Sequence, residues 1–207
     1  YDAFGTPEFD EMYEKYERAT SIPKKKVSAR ELITDLLKER AETGRIYIMN
    51  IDHSNSHSSF LDKINMSNLC QEITLPTYPI DHIDGQGEIA LCILSAINVG
   101  TLKDDLSELP NLCDLAVRGL EEVIDYQQYP VIAAERSTKS RRSLGIGYIG
   151  LAHYLARHKV KYSDPEAHKV VHELTEAFQY NLLKASNDLA RERGACDGYD
   201  RTKYSEG

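Results

Sequence analysis

The sequence has no tryptophan, four phenylalanines and four cysteines in 207 residues. Cys70, Cys92, Cys113 and Cys196 stand far apart and form no C-x-x-C pair, which argues against a structural zinc site. Four are also too few for a disulfide scaffold, so reduced thiols in a cytoplasmic protein are the expectation. Basic charge is short as well: 25 Lys and Arg face 33 Asp and Glu, a net charge of −8 with His neutral. That disfavours a non-specific nucleic-acid binder or an anionic-membrane binder, which need Lys and Arg to neutralise phosphate. No apolar run approaches the roughly 18 residues of a membrane span. Residues 1–5 lack a charged-then-apolar signal pattern, and no Met stands first, as expected of a chain that starts inside a longer protein. No repeat or low-complexity tract is present. Apolar residues at 41% and charged residues at 28% fall close to globular averages, so the chain is expected to fold as one domain or a large piece of one.

What is present is an alternation of helical and strand-like segments, which gives the class α/β. Ser28-Ala29-Arg30-Glu31 reads as a capping box opening a helix over about 28–43, with Leu32, Ile33, Leu36 and Leu37 at helical spacing and Gly44 as its stop. Residues 45–52 are short, β-rich and apolar on both faces, and predict a buried strand. Residues 53–66 are polar and predict a loop; residues 68–75 predict an extended segment, ended by Pro76 and Pro79. Residues 88–99, including Cys92, predict a strand. A helix follows over 110–127, one face of it traced by Leu112, Leu115, Ala116, Leu120, Val123, Ile124 and Gln127. Residues 136–142 read as a basic loop, and Leu144-Gly145-Ile146-Gly147 opens an apolar segment. A helix is expected over 151–157. The longest helix is predicted over 164–193, with a second capping box at Ser163-Asp164-Pro165-Glu166 and a stripe of Val171, Leu174, Phe178, Leu182, Ala185 and Leu189.

Asn68-Leu69-Cys70-Gln71-Glu72 is the sharpest chemical signal. In an extended chain an amide, a thiol and a carboxylate at i, i+2 and i+4 share one face, with second neighbours about 7 Å apart. The competing reading is a strand with one buried core cysteine. A carboxylate two residues away weighs against it, because an unpaired buried charge is costly. A Cys-His hydrolase built on Cys70 is conceivable, but the sequence places no His beside it. Gly145, Gly147 and Gly150 form a G-x-G-x-x-G. A dinucleotide site would need a strand before it and an acid closing a second strand about 20 residues on; here Ser140-Arg141-Arg142-Ser143 precedes it and the long helix follows. Glycines that permit close packing where a strand enters a helix are the plainer reading. His53 and His57 share a face only on a helix, and their stretch reads as loop, so a hydrogen-bonding role is favoured over a metal. Arg136, Lys139, Arg141 and Arg142 could bind phosphate or form a solvated loop.

Five collinear segments resemble the large, catalytic subunit of class I ribonucleotide reductase, in its bacterial and bacteriophage branch. They are Gly44-Arg45-Ile46-Tyr47 with Asn50-Ile51-Asp52-His53; Ser67-Asn68-Leu69-Cys70-Gln71-Glu72-Ile73; Gly87-Glu88-Ile89-Ala90-Leu91-Cys92; Arg142-Ser143-Leu144-Gly145-Ile146-Gly147; and Leu183-Lys184-Ala185-Ser186-Asn187 with Gly194-Ala195-Cys196. The resemblance implies part of a ten-stranded α/β barrel with a central finger loop. Residues 1–207 would be a single, incomplete barrel domain: 1–27 a helical or irregular lead-in, 28–100 a helix, strand, finger loop and strand, and 101–207 a mainly helical wall. It implies that Cys70 at the loop tip becomes a thiyl radical and takes the 3′ hydrogen of a ribonucleoside diphosphate. Glu72 would be the general base at the 3′ hydroxyl, Asn68 a hydrogen-bonding partner of the substrate, and Cys92 one member of the redox pair that reduces the 2′ position, making deoxyribonucleotides for DNA synthesis.

The same resemblance implies no cofactor on this chain. A separate metal-containing small subunit would supply the radical, thioredoxin or glutaredoxin the electrons, and the complete large subunit would be a homodimer. ATP and dNTP effectors would bind regions outside these 207 residues. The family's second redox cysteine lies upstream of this segment, and neither Cys113 nor Cys196 is an obvious substitute, so the chain is expected to be inactive alone. That gap motivates an alternative, a non-catalytic assembly module on the same scaffold. A dinucleotide-dependent dehydrogenase built on the glycine motif is a weaker one.

Overall fold

The computed structural model describes Ala3, residues 6–82 and residues 85–206. It divides into two compact units, Tyr1–Pro76 and Thr77–Gly207.

The first unit is built from α1 (Pro7–Arg18), α2 (Ala29–Thr43) and α3 (Ile51–His57). Half of the expected capping box forms at α2: the Ser28 hydroxyl accepts from the Glu31 N–H at 3.4 Å. Gly44 ends the helix in the left-handed region, and its N–H donates to Arg40 O. The strand expected over 45–52 is absent. A strand needs an edge to pair with, and among the described residues the sheet has only two strands, both in the second unit. The loop expected over 53–66 is likewise replaced at its start by α3. Its seven residues carry no apolar stripe, so hydrophobic periodicity could not reveal them. Asn55 organises the unit instead: its Nδ2 donates to Ile51 O at 2.9 Å and Ile64 O at 2.8 Å, and its Oδ1 accepts from Ile64 N–H at 2.8 Å. Both backbone groups of fully buried Ile64 are thereby satisfied by one side chain.

The second unit holds β1 (Ile93–Asn98), α4 (Leu109–Tyr126), α5 (Ile132–Arg141), β2 (Leu144–Ile149), α6 (Leu151–Arg157) and α7 (Pro165–Arg193). β1 and β2 pair in parallel, in register from Ile93 opposite Leu144 to Asn98 opposite Ile149. Leu109, Cys113, Val117 and Ile124 of α4 are buried, with Leu174, Phe178, Ala185 and Leu189 of α7. All of these but Ile124 fall in one core with Ile97, Val99, Leu102 and Tyr154 or in a smaller cluster of Val117, Ala185 and Leu189. The α4 face read from the sequence is buried only in part: Ile124 is fully buried, and Leu112 and Ala116 pack against the core. Leu112, Leu115, Ala116, Leu120 and Val123 line an open groove of about 730 Å³ beside β1, and Leu115 is 68% exposed. At α7, Asp164 rather than Ser163 is the N-cap, and its carboxylate accepts from the Lys161 N–H instead of closing a capping box. The basic loop expected over 136–142 is the C-terminal half of α5. Its Ala133, Ala134, Ser137, Thr138 and Arg141 are buried, a mixed face with no apolar periodicity to announce a helix. No helix among the described residues is long and apolar enough to cross a membrane.

Gly150 joins β2 to α6 with φ +81, and a Cβ there would lie 2.4 Å from Asn98 Oδ1 and 3.0 Å from Gly100 N. Asn98 Oδ1 accepts the Gly100 N–H at 3.1 Å, so the clash falls on a bond that shapes the turn after β1. Gly150→Ala should therefore lose about 1–3 kcal/mol of stability, read as a lower urea midpoint at an unchanged m-value.

Candidate functional site

Residues 67–73 form a tight turn. Gln71 N–H donates to Asn68 O at 3.2 Å, which puts Leu69 and Cys70 at its two central positions. Asn68 closes it from below: its N–H donates to Ile73 O at 3.3 Å, and its Oδ1 accepts from Ile73 N–H at 3.1 Å. The Ser67 hydroxyl donates to Asn68 O at 2.9 Å. Because the Asn68 oxygen is engaged, its amide keeps two donors for another partner. Cys70 is exposed, as are Asn68 and Glu72, and Leu69 is 82% exposed. The alternation expected of an extended segment fails here. Gln71 sits in the left-handed region at φ 63, which breaks the period of two between Cys70 and Glu72. The same observation removes the buried-cysteine reading, since the thiol projects from the turn tip instead of packing in a core. A non-glycine residue held at positive φ costs free energy, and such strain clusters where a loop presents a functional group.

A shallow cleft of about 270 Å³ lies in the same unit, lined by Asn50, His53, Ser54, Ser67, Gln71 and Thr74. His53 and His57 do fall on a helix, but His57 Nδ1 lies 3.0 Å from the His53 carbonyl oxygen, so a backbone group takes the ring. Among the described residues no three His, Cys, Asp or Glu side chains gather as a metal site.

Cys92 belongs to the second unit and is half-buried immediately before β1. Cys113 lies in the core, where burial pushes its thiol up to about 11. Burial also raises Cys196, which is half-buried after α7. Gly145 and Gly147 lie within β2 and not in a strand-to-helix turn, so the glycine run does not build a phosphate loop.

A sequence model of the ribonucleotide reductase barrel domain matches residues 1–207. The chain belongs to the ribonucleotide reductase family. It is 52% identical to the ribonucleoside-diphosphate reductase subunit alpha of Haemophilus influenzae, with all of this chain and 28% of that protein covered. It is 51% identical to the ribonucleoside-diphosphate reductase 1 subunit alpha of Escherichia coli K12, again over all of this chain and 28% of that protein. The subunit alpha of Enterobacteria phage T4 is 41% identical over 96% of this chain and 26% of its own length. The chain thus spans 26 to 28% of the length of these curated relatives. A ribonucleotide reductase barrel accounts for the mixed helix and strand content and for the parallel pairing of β1 with β2.

Sequence reasoning missed the part played by α5 in this barrel segment. Arg141 donates from Nε and Nη2 to Glu88 Oε2 at 2.9 and 2.7 Å. Arg136 Nη1 donates to Gly85 O and Gly87 O at 3.0 and 2.7 Å. Arg136 and Arg141 of the basic run are therefore turned onto the protein's own backbone and acid, whereas Lys139 stays exposed, paired with Glu135. The available signal was Glu88 itself, a lone carboxylate opening an apolar run, which needs a buried cation.

Proposed function

We propose that this chain is the part of a ribonucleoside-diphosphate reductase alpha subunit that carries the radical cysteine and part of the substrate site. The observation that carries the reading is an exposed thiol at the tip of a strained turn, between an amide with two unused donors and an exposed carboxylate, in a chain matched throughout by this family's barrel domain. A thiol yields its hydrogen atom readily enough to hold a transferable radical, which a hydroxyl would not. In this reading Cys70 as a thiyl takes the 3′ hydrogen of a ribonucleoside diphosphate, and Glu72 removes the 3′ hydroxyl proton. Asn68 donates to the substrate without adding charge. The 2′ C–O bond then breaks and its oxygen leaves as water. Two thiols, one of them Cys92, supply two electrons and two protons and become a disulfide. Cys70 finally returns its hydrogen to the 3′ carbon and regains the radical, and Glu72 returns its proton to the 3′ oxygen.

The apolar groove, and an edge of β1 that pairs with no strand among the described residues, support the view that residues 1–207 are one incomplete domain of a ten-stranded barrel, with residues 67–73 as its finger loop. Further strands from the remaining large-subunit segments would cover that edge. The radical would come from a separate metal-containing small subunit and the electrons from thioredoxin or glutaredoxin, in the cytoplasm. The complete large subunit would form a homodimer, with ATP and dNTP effectors bound by segments beyond these residues.

The test is Glu72→Gln in the complete alpha subunit with its small subunit, a dithiol reductant and a ribonucleoside diphosphate. Deoxyribonucleotide formation should fall by about 10²–10⁴-fold, the range for loss of a general base, while nucleotide binding persists. Activity within a few-fold of wild type would overturn the role of Glu72. No product from the wild-type assembly, correctly folded, would favour a non-catalytic module.

A further inference from the structure

Among the described residues the non-glycine residues with positive φ are Gln71 at 63, Leu106 at 55, Arg142 at 47 and Lys159 at 58. Helices account for the last three. Arg142 is the C-cap of α5, Lys159 follows that of α6, and Leu106 O accepts from the Leu109 N–H where α4 starts. A left-handed residue is routine just past a helix C-terminus. Gln71 adjoins no helix; it lies in the turn that carries Cys70. Its N–H donates to Asn68 O at 3.2 Å, and two bonds between Asn68 and Ile73 close the turn, at 3.3 and 3.1 Å. Neither Leu69 nor Cys70 has positive φ, so turn types II, I′ and II′ are excluded and the left-handed step falls on residue 71 alone. A turn followed by a left-handed residue is a common way to close a short loop, and glycine is the residue that suits that place. This chain has Gln there.

The reaction gives that step a purpose. In the reading above, Cys70 takes the hydrogen on the 3′ carbon and Glu72 the proton of the 3′ hydroxyl. Both groups are substituents of one tetrahedral carbon, and their bonds diverge. A thiol and a carboxylate side by side on one face of an extended strand would approach that carbon from the same side. A left-handed residue between them is a one-residue change of backbone that turns the carboxylate relative to the thiol. We propose that Gln71 is a positioning residue whose left-handed backbone sets the orientation of Glu72 relative to Cys70, so that base and radical thiol address different substituents of the same carbon. The role belongs to the φ of residue 71 and not to its side chain, which is half-buried and lines the cleft with Asn50, His53 and Ser54. The effect on turnover rests on the roles proposed for Cys70 and Glu72, whereas control of the turn's shape by residue 71 does not.

The experiment compares Gln71→Gly, Gln71→Asn and Gln71→Val in the complete alpha subunit, with its small subunit, a dithiol reductant and a ribonucleoside diphosphate. Gly and Asn accept the left-handed region, whereas a β-branched residue is a genuine outlier there. In Gln71→Val kcat should fall by about a hundredfold, the scale of a one-ångström misplacement, with KM within about twofold of wild type. Gln71→Gly and Gln71→Asn should keep kcat within about threefold, since both retain the backbone and lose only the side chain. A second measurement involves no chemistry: hydrogen exchange of the peptide covering residues 67–76 should quicken by about tenfold in Gln71→Val and stay within about twofold in the other two. If Gln71→Val does not fold, Gln71→Thr carries the same test with a polar β-branched side chain. Wild-type kcat in a folded β-branched variant overturns the proposal. So does an equal loss in all three variants, which assigns the effect to the Gln71 side chain, and so does a rise in KM at unchanged kcat. Faster exchange confined to Gln71→Val, together with unimpaired turnover in Cys70→Ser, upholds the control of the turn by residue 71 and overturns the catalytic roles it was taken to serve.

Discussion

Cys70→Ser in the complete alpha subunit should abolish nucleotide reduction, with a loss of at least about a thousandfold, as when the reacting atom of a catalytic unit is removed. The substitution is nearly isosteric. The turn is closed by Asn68 and Ile73 backbone and amide groups and not by the sulfur, so its shape should survive. Cys70 is exposed, so no core packing is lost. The change therefore isolates one property, the readiness of an S–H bond to give up its hydrogen atom compared with an O–H bond. Substrate affinity by equilibrium binding should stay within about threefold of wild type, since the hydroxyl keeps a donor and an acceptor. Retained deoxyribonucleotide formation in a stoichiometric, radical-loaded assembly would overturn the assignment, whatever the behaviour of Glu72.

The helix α7 was legible because its periodicity is set by burial in a core shared with α4: its Leu174, Phe178, Ala185 and Leu189 are buried as the stripe required. The α2 cap was legible because a serine and a glutamate three apart satisfy local backbone groups wherever the helix lies. Elements held by polar side chains were not legible. α3 depends on Asn55 reaching Ile64, and α5 on Arg141 reaching Glu88, contacts that span 9 and 53 residues and leave no periodic trace. The apolar residues of 45–52 looked like a strand because composition reports a preference for burial, whereas a strand also needs a partner. On α4 the sequence showed an apolar stripe correctly but not what covers it: Leu115 and Val123 stay exposed in this chain. At the candidate site, residue types and order were readable, and the turn was not. The alternation rule assumed continuous extended backbone, and the left-handed Gln71 interrupts it.

Cys92→Ser is expected to separate the first hydrogen transfer from the supply of electrons. With thioredoxin, glutaredoxin or a small dithiol as reductant, steady-state turnover should fall by at least about a hundredfold, because in the proposed reaction Cys92 is one of the two thiols that become a disulfide. Cys70, the proposed radical thiol, is unaltered, so the variant should still consume substrate-dependent radical while failing to deliver product. That outcome distinguishes it from Cys70→Ser, in which neither occurs. The other cysteines of the second unit are poor substitutes. Burial pushes Cys113 up to about 11, which disfavours the thiolate through which exchange proceeds. Cys196 is raised in the same direction by burial. Cys92 instead is half-buried immediately before β1. Wild-type steady-state rates in Cys92→Ser, measured with the protein-disulfide reductant present, would show that the reducing equivalents arrive through a different pair.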